Sequence, residues 1–137
     1  ARRPEAMTLL EAMRRRAGEG DAGALLWREV AVPAAGALLS YAQEDYSACL
    51  SRLGPVLGRL LEVGGSHAQR DLFSQIYIDG LIRIGADSSA QQLLEQRRLY
   101  EPNGVALNRA LAGVYERLGL PRQAAQARDR SNRPRTH

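Results

Sequence analysis

Gly85 and Gly119 stand 34 residues apart, and the sequence repeats itself around them. Arg83 and Arg117, Ala90 and Ala124, and Gln92 and Gln126 recur at the same separation. Four of ten positions are identical between Arg83–Gln92 and Arg117–Gln126, and Ile84 faces Leu118. A period of this length holds two helices and their turns. Such a unit cannot bury its apolar face alone, so it must stack on a neighbour. The repeat therefore limits the chain to stacked helical hairpins or a closed bundle.

The rest of the pattern agrees. Apolar residues recur at spacings of three and four nearly throughout, and β-branched residues never alternate with polar ones over a useful length. Seven helices are expected. Pro4 suits a first helical position, with Ala6, Leu10, Met13 and Ala17 on one face before Gly18 and Gly20. Asp21 can cap the second helix, whose stripe is Leu26, Val30, Ala34, Ala37, Leu38 and Tyr41. Pro33 should kink or split it. Gln43-Glu44-Asp45 is a turn. Tyr46, Leu50, Leu53, Leu57, Leu60 and Leu61 form a third stripe, bent at Gly54-Pro55. After Gly64-Gly65, Ser66 and Gln69 have the spacing of a capping box. The fourth helix carries Phe73, Ile76, Tyr77, Gly80, Leu81 and Ile84. Asp87 or Ser88 caps a fifth with Ala90, Leu93, Leu94 and Arg97. Pro102-Asn103-Gly104 is a turn before Leu107, Ala110, Leu111, Val114, Tyr115 and Leu118. Pro121 opens a seventh helix with Ala124, Ala125 and Ala127, fraying by about Arg130.

A 34-residue period is that of the tetratricopeptide repeat. Gly85 permits a tight inter-helix turn, Ala90 lets two backbones approach, and Pro102 ends the second helix. The turn at Gln43–Asp45 falls 41 residues before Gly85, with Tyr46 and Cys49 in the aromatic and small positions. The seven extra residues are two helical turns, expected to lengthen the helix ending at Val63. Glu44 stands where Gly is common, so a different turn type is expected there.

The stretch Gly64-Gly65-Ser66-His67-Ala68-Gln69-Arg70-Asp71-Leu72-Phe73, with Val32-Pro33 and the flanking hairpins, resembles the C-terminal part of the tetratricopeptide repeat protein 38 family. The resemblance covers roughly residues 21–130. It implies an all-α, right-handed solenoid of stacked antiparallel hairpins, and a fragment of a longer protein. The expected layout is one domain over 1–130: an unpaired helix at 4–17, hairpins at about 22–63, 66–100 and 104–130, then a basic tail at 131–137. By resemblance to the repeat, the first helix of each hairpin lines a concave face. That face would present Gln75, Asp79 and Arg83 on the fourth helix and Arg109, Glu116 and Arg117 on the sixth, a mixed set suited to a polar peptide or a chain terminus.

Charge narrows the partner. The 137 residues carry 19 basic and 15 acidic side chains; every basic one is Arg. Residues 21–120 are net −2, while 1–20 are +2 and 121–137 are +4. The excess lies at the ends, and Arg128, Arg130, Arg133 and Arg135 read as a solvated tail, so a nucleic-acid partner is not expected. No run of 18 apolar residues exists, so no membrane partner is expected either. All-Arg usage with 21 Ala suggests a GC-rich bacterial source, and a cytoplasmic location is expected.

Little chemistry is visible. His67 and Asp71 are four apart at a helix start and share a face; Arg70 lies between them. They could orient a general base, or they could satisfy the open end of a helix. One His with carboxylates is a poor zinc site, and no glycine loop for nucleotides is present, so neither a metal nor a cofactor is expected. Cys49 is expected to be buried and inert. Trp27 either covers the preceding helix or anchors an interface. The expectation is a non-enzymatic scaffold binding a peptide or partner helix through the concave face. The alternative is a small-molecule-binding protein or hydrolase using His67, Arg70 and Asp71. An exposed solenoid end could also pair two copies.

Overall fold

The structure is a computed structural model that describes residues 3–17, 22–61 and 67–133; the side chains of Arg14, Arg16, Ala17, 22–28, Leu61 and 67–70 are outside the described set. The described residues form seven α-helices and no strand: α1 (Arg3–Ala17), α2 (Ala22–Ala42), α3 (Tyr46–Leu53), α4 (His67–Arg83), α5 (Asp87–Arg98), α6 (Val105–Arg117) and α7 (Pro121–Asn132). The chain divides into two compact units, Ala1–Gly80 and Leu81–His137. The Gly64–Ser66 break, the Asp21 cap and the tail beyond Arg133 lie outside the described residues, as does the side chain of Trp27.

In the first unit α1 packs on α2, and α2 on α3. The core is built by the stripes the sequence marks: Ala6, Leu10 and Met13 from α1, Val30, Ala34, Ala37 and Leu38 from α2, Cys49 and Leu53 from α3, and Phe73 and Ile76 from α4. Burying each large side chain contributes about 1.5–3 kcal/mol. Here α2 runs through Pro33 without splitting. Pro33 withholds one donor from the carbonyl four residues earlier. Burial of Val30, Ala34, Ala37 and Leu38 on both sides of it offsets that loss. Glycine brings α4 close to α3, because a Cβ on Gly80 would stand 3.1 Å from Leu50 Cδ2.

The sequence predicts a lengthened α-helix to Val63, and the structure departs from it. Here α3 stops at Leu53, and the chain continues as 3₁₀ turns at Gly54–Val56 and Gly58–Leu61. Pro55 has no N–H for the next α-helical bond, and tighter 3₁₀ bonding tolerates it at the start of a turn. Val56 and Leu60 still reach the core.

In the second unit α6 packs against both α5 and α7. Ala90, Leu94, Leu107, Leu111, Val114, Tyr115, Ala124 and Ala127 are buried there. Among the other expected stripe members Leu93, Arg97, Ala110 and Leu118 are half-buried, Ile84 is 47% exposed, and Ala125 faces solvent. The fifth helix takes Ala86 as its N-cap, in place of Asp87 or Ser88, and Asp87 becomes its first helical residue. The last helix runs through Arg128 and Arg130 to Asn132, two residues past the expected fraying point.

One backbone device recurs at three helix ends. Gly85 N–H donates to Ile82 O and Ala86 N–H to Leu81 O, at 3.1 and 2.8 Å. Gly119 and Leu120 donate to Glu116 O and Tyr115 O at 3.1 and 2.9 Å. Glu44 and Asp45 do the same to Tyr41 O and Ser40 O, at 3.0 and 2.8 Å. This paired arrangement is a Schellman cap, which needs a left-handed residue. Gly85 and Gly119 supply it with φ of 80° and 73°, and Glu44 supplies it with φ of 62°. The expectation of a different turn at Glu44 is therefore corrected. The turn type is the same, and a side chain is held where glycine costs nothing. Glu44→Gly should raise stability by about 0.5–1 kcal/mol, read as a higher urea midpoint.

The next helix follows in the same register after each cap. Tyr46, Asp87 and Pro121 are first helical residues, and Cys49, Ala90 and Ala124, three further on, are each 0% exposed. Both α5 and α7 are 12 residues long and start 34 apart.

Candidate functional site

On α4, the backbone of His67 and Arg70 is helical, and their side chains are outside the described residues. The expected His67–Asp71 pairing therefore lies outside the described residues. Asp71 is occupied one turn ahead, where its Oδ2 accepts from Gln75 Nε2 at 2.6 Å. Gln75, an expected groove residue, is thus engaged along its own helix.

Asp79 is turned toward α2. Its Oδ2 accepts from the Tyr41 hydroxyl at 2.7 Å. The Tyr41 ring meets Tyr46 edge-on, with centroids 5.8 Å apart and planes at 75°. A phenol–carboxylate bond in a half-buried place is charge-assisted and fixes α4 against α2. Asp79 therefore acts as a packing group in the first unit. Cys49 lies close by. Burial, and then the charges of Asp45 and Asp79, push its thiol up from 9.0 to about 11. At neutral pH it stays protonated, and a buried protonated thiol is a poor nucleophile. Arg52 crosses α2 beside it, donating to Ser40 Oγ at 2.6 Å and Gly36 O at 3.2 Å, which satisfies the buried Ser40.

In the second unit Arg83 and Arg109 are exposed. Glu116 and Arg117, adjacent in sequence, point to different helices. Arg128 of α7 pairs with Glu116, and Arg117 Nε donates to Asp87 Oδ1 on α5 at 2.9 Å. They fasten α6 to its two neighbours, so the groove candidates of this unit do not converge on one point.

Sequence reasoning missed a second set of polar residues, on α6 itself. Asn108 is 0% exposed. Its Nδ2 donates to Pro102 O at 3.0 Å and Gly104 O at 2.9 Å, and its Oδ1 accepts from Arg130 Nε at 2.7 Å. One amide thereby ties the α5–α6 loop to α7. The reading of Arg128 and Arg130 as solvated tail residues is corrected by these contacts. Tyr115, two turns further along α6, donates to Glu95 Oε1 at 2.8 Å and accepts from Gln91 Nε2 at 3.2 Å. Arg98 Nε holds the other Glu95 oxygen at 2.8 Å. Burial, with the Glu95 carboxylate second, lifts the Tyr115 phenol above its ordinary value. Burial, with the Arg98 charge second, lowers Arg130.

Among the described residues no helix is long and apolar enough to cross a membrane, and no group of three His, Cys, Asp or Glu could hold a metal. No protein-family model matches the chain, and no solved structure matches it significantly. The fold and these contacts define an all-α protein of helical hairpins with repeated caps.

Proposed function

We propose that the chain is a non-enzymatic interaction module, built as a right-handed solenoid of tetratricopeptide-repeat-like hairpins, that takes an extended peptide or partner helix on the face of its first helices. The observation that carries this reading is the recurring Schellman cap, with a fully buried small residue five positions after each left-handed residue. Repetition of one hairpin geometry is what a stacked array requires. Stacked first helices present a row of side chains on one face, and extended chains bind there through polar groups at regular spacing.

Within that face exposure favours Arg83 and Arg109 as recognition residues. Gln75 and Asp79 support the reading less, being engaged with Asp71 and Tyr41. Peptide-array hits should be retitrated by calorimetry against an Arg83→Glu/Arg109→Glu variant. Binding is expected to weaken about tenfold or more, equivalent to about 1.4 kcal/mol. Equal affinity for wild type and variant across all hits would sink the groove assignment.

A further inference from the structure

We propose that the C-terminal ends of α5 and α7, joined across α6, form a docking surface for an acidic peptide segment bearing an apolar residue. Arg98, Arg130 and Arg133 take its carboxylates, and Leu99 and Tyr100 its apolar side chain. This surface belongs to the second helices of the hairpins, so it stands apart from the first-helix face.

Charge complementarity identifies the occupant. Between Leu81 and His137 there are ten arginines and five acids. Four of those acids are already held: Asp87 by Arg117, Glu95 by Arg98, Glu101 by Arg97 and Glu116 by Arg128. Arg130 differs from these arginines. It is half-buried, and its hydrogen-bond partner is the neutral amide oxygen of Asn108. Arg98 and Arg133 lie near enough for their charges to act on it. Glu95 is the carboxylate facing this cluster, and it is divided between Arg98 and the Tyr115 hydroxyl. A half-buried guanidinium beside two other cations gains most from an added anion.

The arginines are also preset for it. Arg130 spends its Nε on Asn108, and Arg98 spends its Nε on Glu95. Each keeps its two terminal nitrogens, the forked end that matches a carboxylate. Asn108 is fully buried and held by two loop carbonyls, so the acceptor of Arg130 Nε is fixed from below.

The apolar half sits on the same loop. Asn108 grips Pro102 O and Gly104 O, and just before them Leu99 and Tyr100 are 79% and 87% exposed. Adjacent large side chains so far out of the core, at the edge of a cationic cluster, suit a segment that alternates acidic and apolar residues. A nucleic-acid strand fits less well. Strand binding relies on a run of stacking aromatics, and among the described residues Tyr100 is the single strongly exposed one there.

The test uses the whole chain and fluorescein-labelled peptides, read by anisotropy at about 50 mM and 150 mM salt. One probe alternates Glu with Leu and Phe; one replaces every Glu by Gln; one replaces Leu and Phe by Ser. Oligo-thymidine and inorganic phosphate are run beside them. The first probe is expected to bind at least about tenfold more tightly than the other two peptides. Arg130→Gln and Leu99→Ser/Tyr100→Ser should each weaken it by a similar factor, and Arg83→Glu/Arg109→Glu should leave it unchanged. The Leu99/Tyr100 pair is so exposed that its replacement leaves the fold intact, which circular dichroism checks. Equal binding of the Gln peptide would overturn the proposal. So would an unaffected Leu99/Tyr100 variant, tighter binding of the oligonucleotide, or full competition by phosphate. Loss of binding in the Arg83/Arg109 variant alone would place the peptide on the first-helix face and overturn this surface while leaving the groove reading in place.

Discussion

Asn108→Ala should cost about 2–4 kcal/mol of stability, seen as a lower urea midpoint with little change in slope. The substitution removes two bonds to the loop carbonyls and the acceptor of Arg130 in one step. Gly104 O keeps the backbone N–H of residue 108, at 3.0 Å, so its loss is partial. Arg130 loses its hydrogen-bond acceptor while still half-buried, and this costs more than the loss at the loop. Asn108→Asp separates the contributions. It restores an acceptor to Arg130 with a full charge, but it faces a carboxylate toward two carbonyl oxygens. It should therefore be no more stable than the alanine variant. A wild-type-like midpoint for Asn108→Asp would mean that the Arg130 bond is the whole effect and that the loop contacts contribute nothing.

Much of the second unit is legible in the sequence because its punctuation is chemical. Gly85 and Gly119 do what only glycine does cheaply, and Pro121 opens a helix where its missing N–H is harmless. Glu44 defeats the same logic. Glycine advertises a left-handed cap, but the Asp45 N–H to Ser40 O bond closes the turn without one. The bond pattern decides the turn, and the residue type only sets its cost. Asn108 is legible in principle. It lies on the face shared by Leu111, Ala112 and Tyr115, where a polar residue must find partners inside the protein. The Tyr41–Asp79 bond is not legible, because its ends are 38 residues apart and nothing in either segment names the other. Helical position alone assigns Asp79 to a groove. Position on a helix gives a face, while the neighbour on that face depends on packing. Arg128 and Arg130 mislead for a related reason. A segment without an apolar stripe reads as solvated, yet Ala124 and Ala127 are small enough to bring α7 against α6, so arginine stems can reach Glu116 and Asn108.

The small residues at these helix contacts are the most direct test of the repeat. Ala124→Leu should destabilise the chain by about 1–3 kcal/mol, while Ala125→Leu, one residue on, should change stability by no more than about 0.5 kcal/mol. Ala124 is 0% exposed, on the side of α7 that meets α6, and Ala125 faces solvent. A leucine at 124 adds three carbons where no space exists, and the two helices must separate or the side chain must leave its rotamer. Helix propensity is nearly the same for the two substitutions, so their difference isolates the packing. Ala90→Leu, 34 residues earlier and also 0% exposed, should show a loss within the same range. If Ala90 tolerated leucine while Ala124 did not, the shared register would be a likeness of sequence without a likeness of packing, and the hairpins could not be treated as copies of one unit.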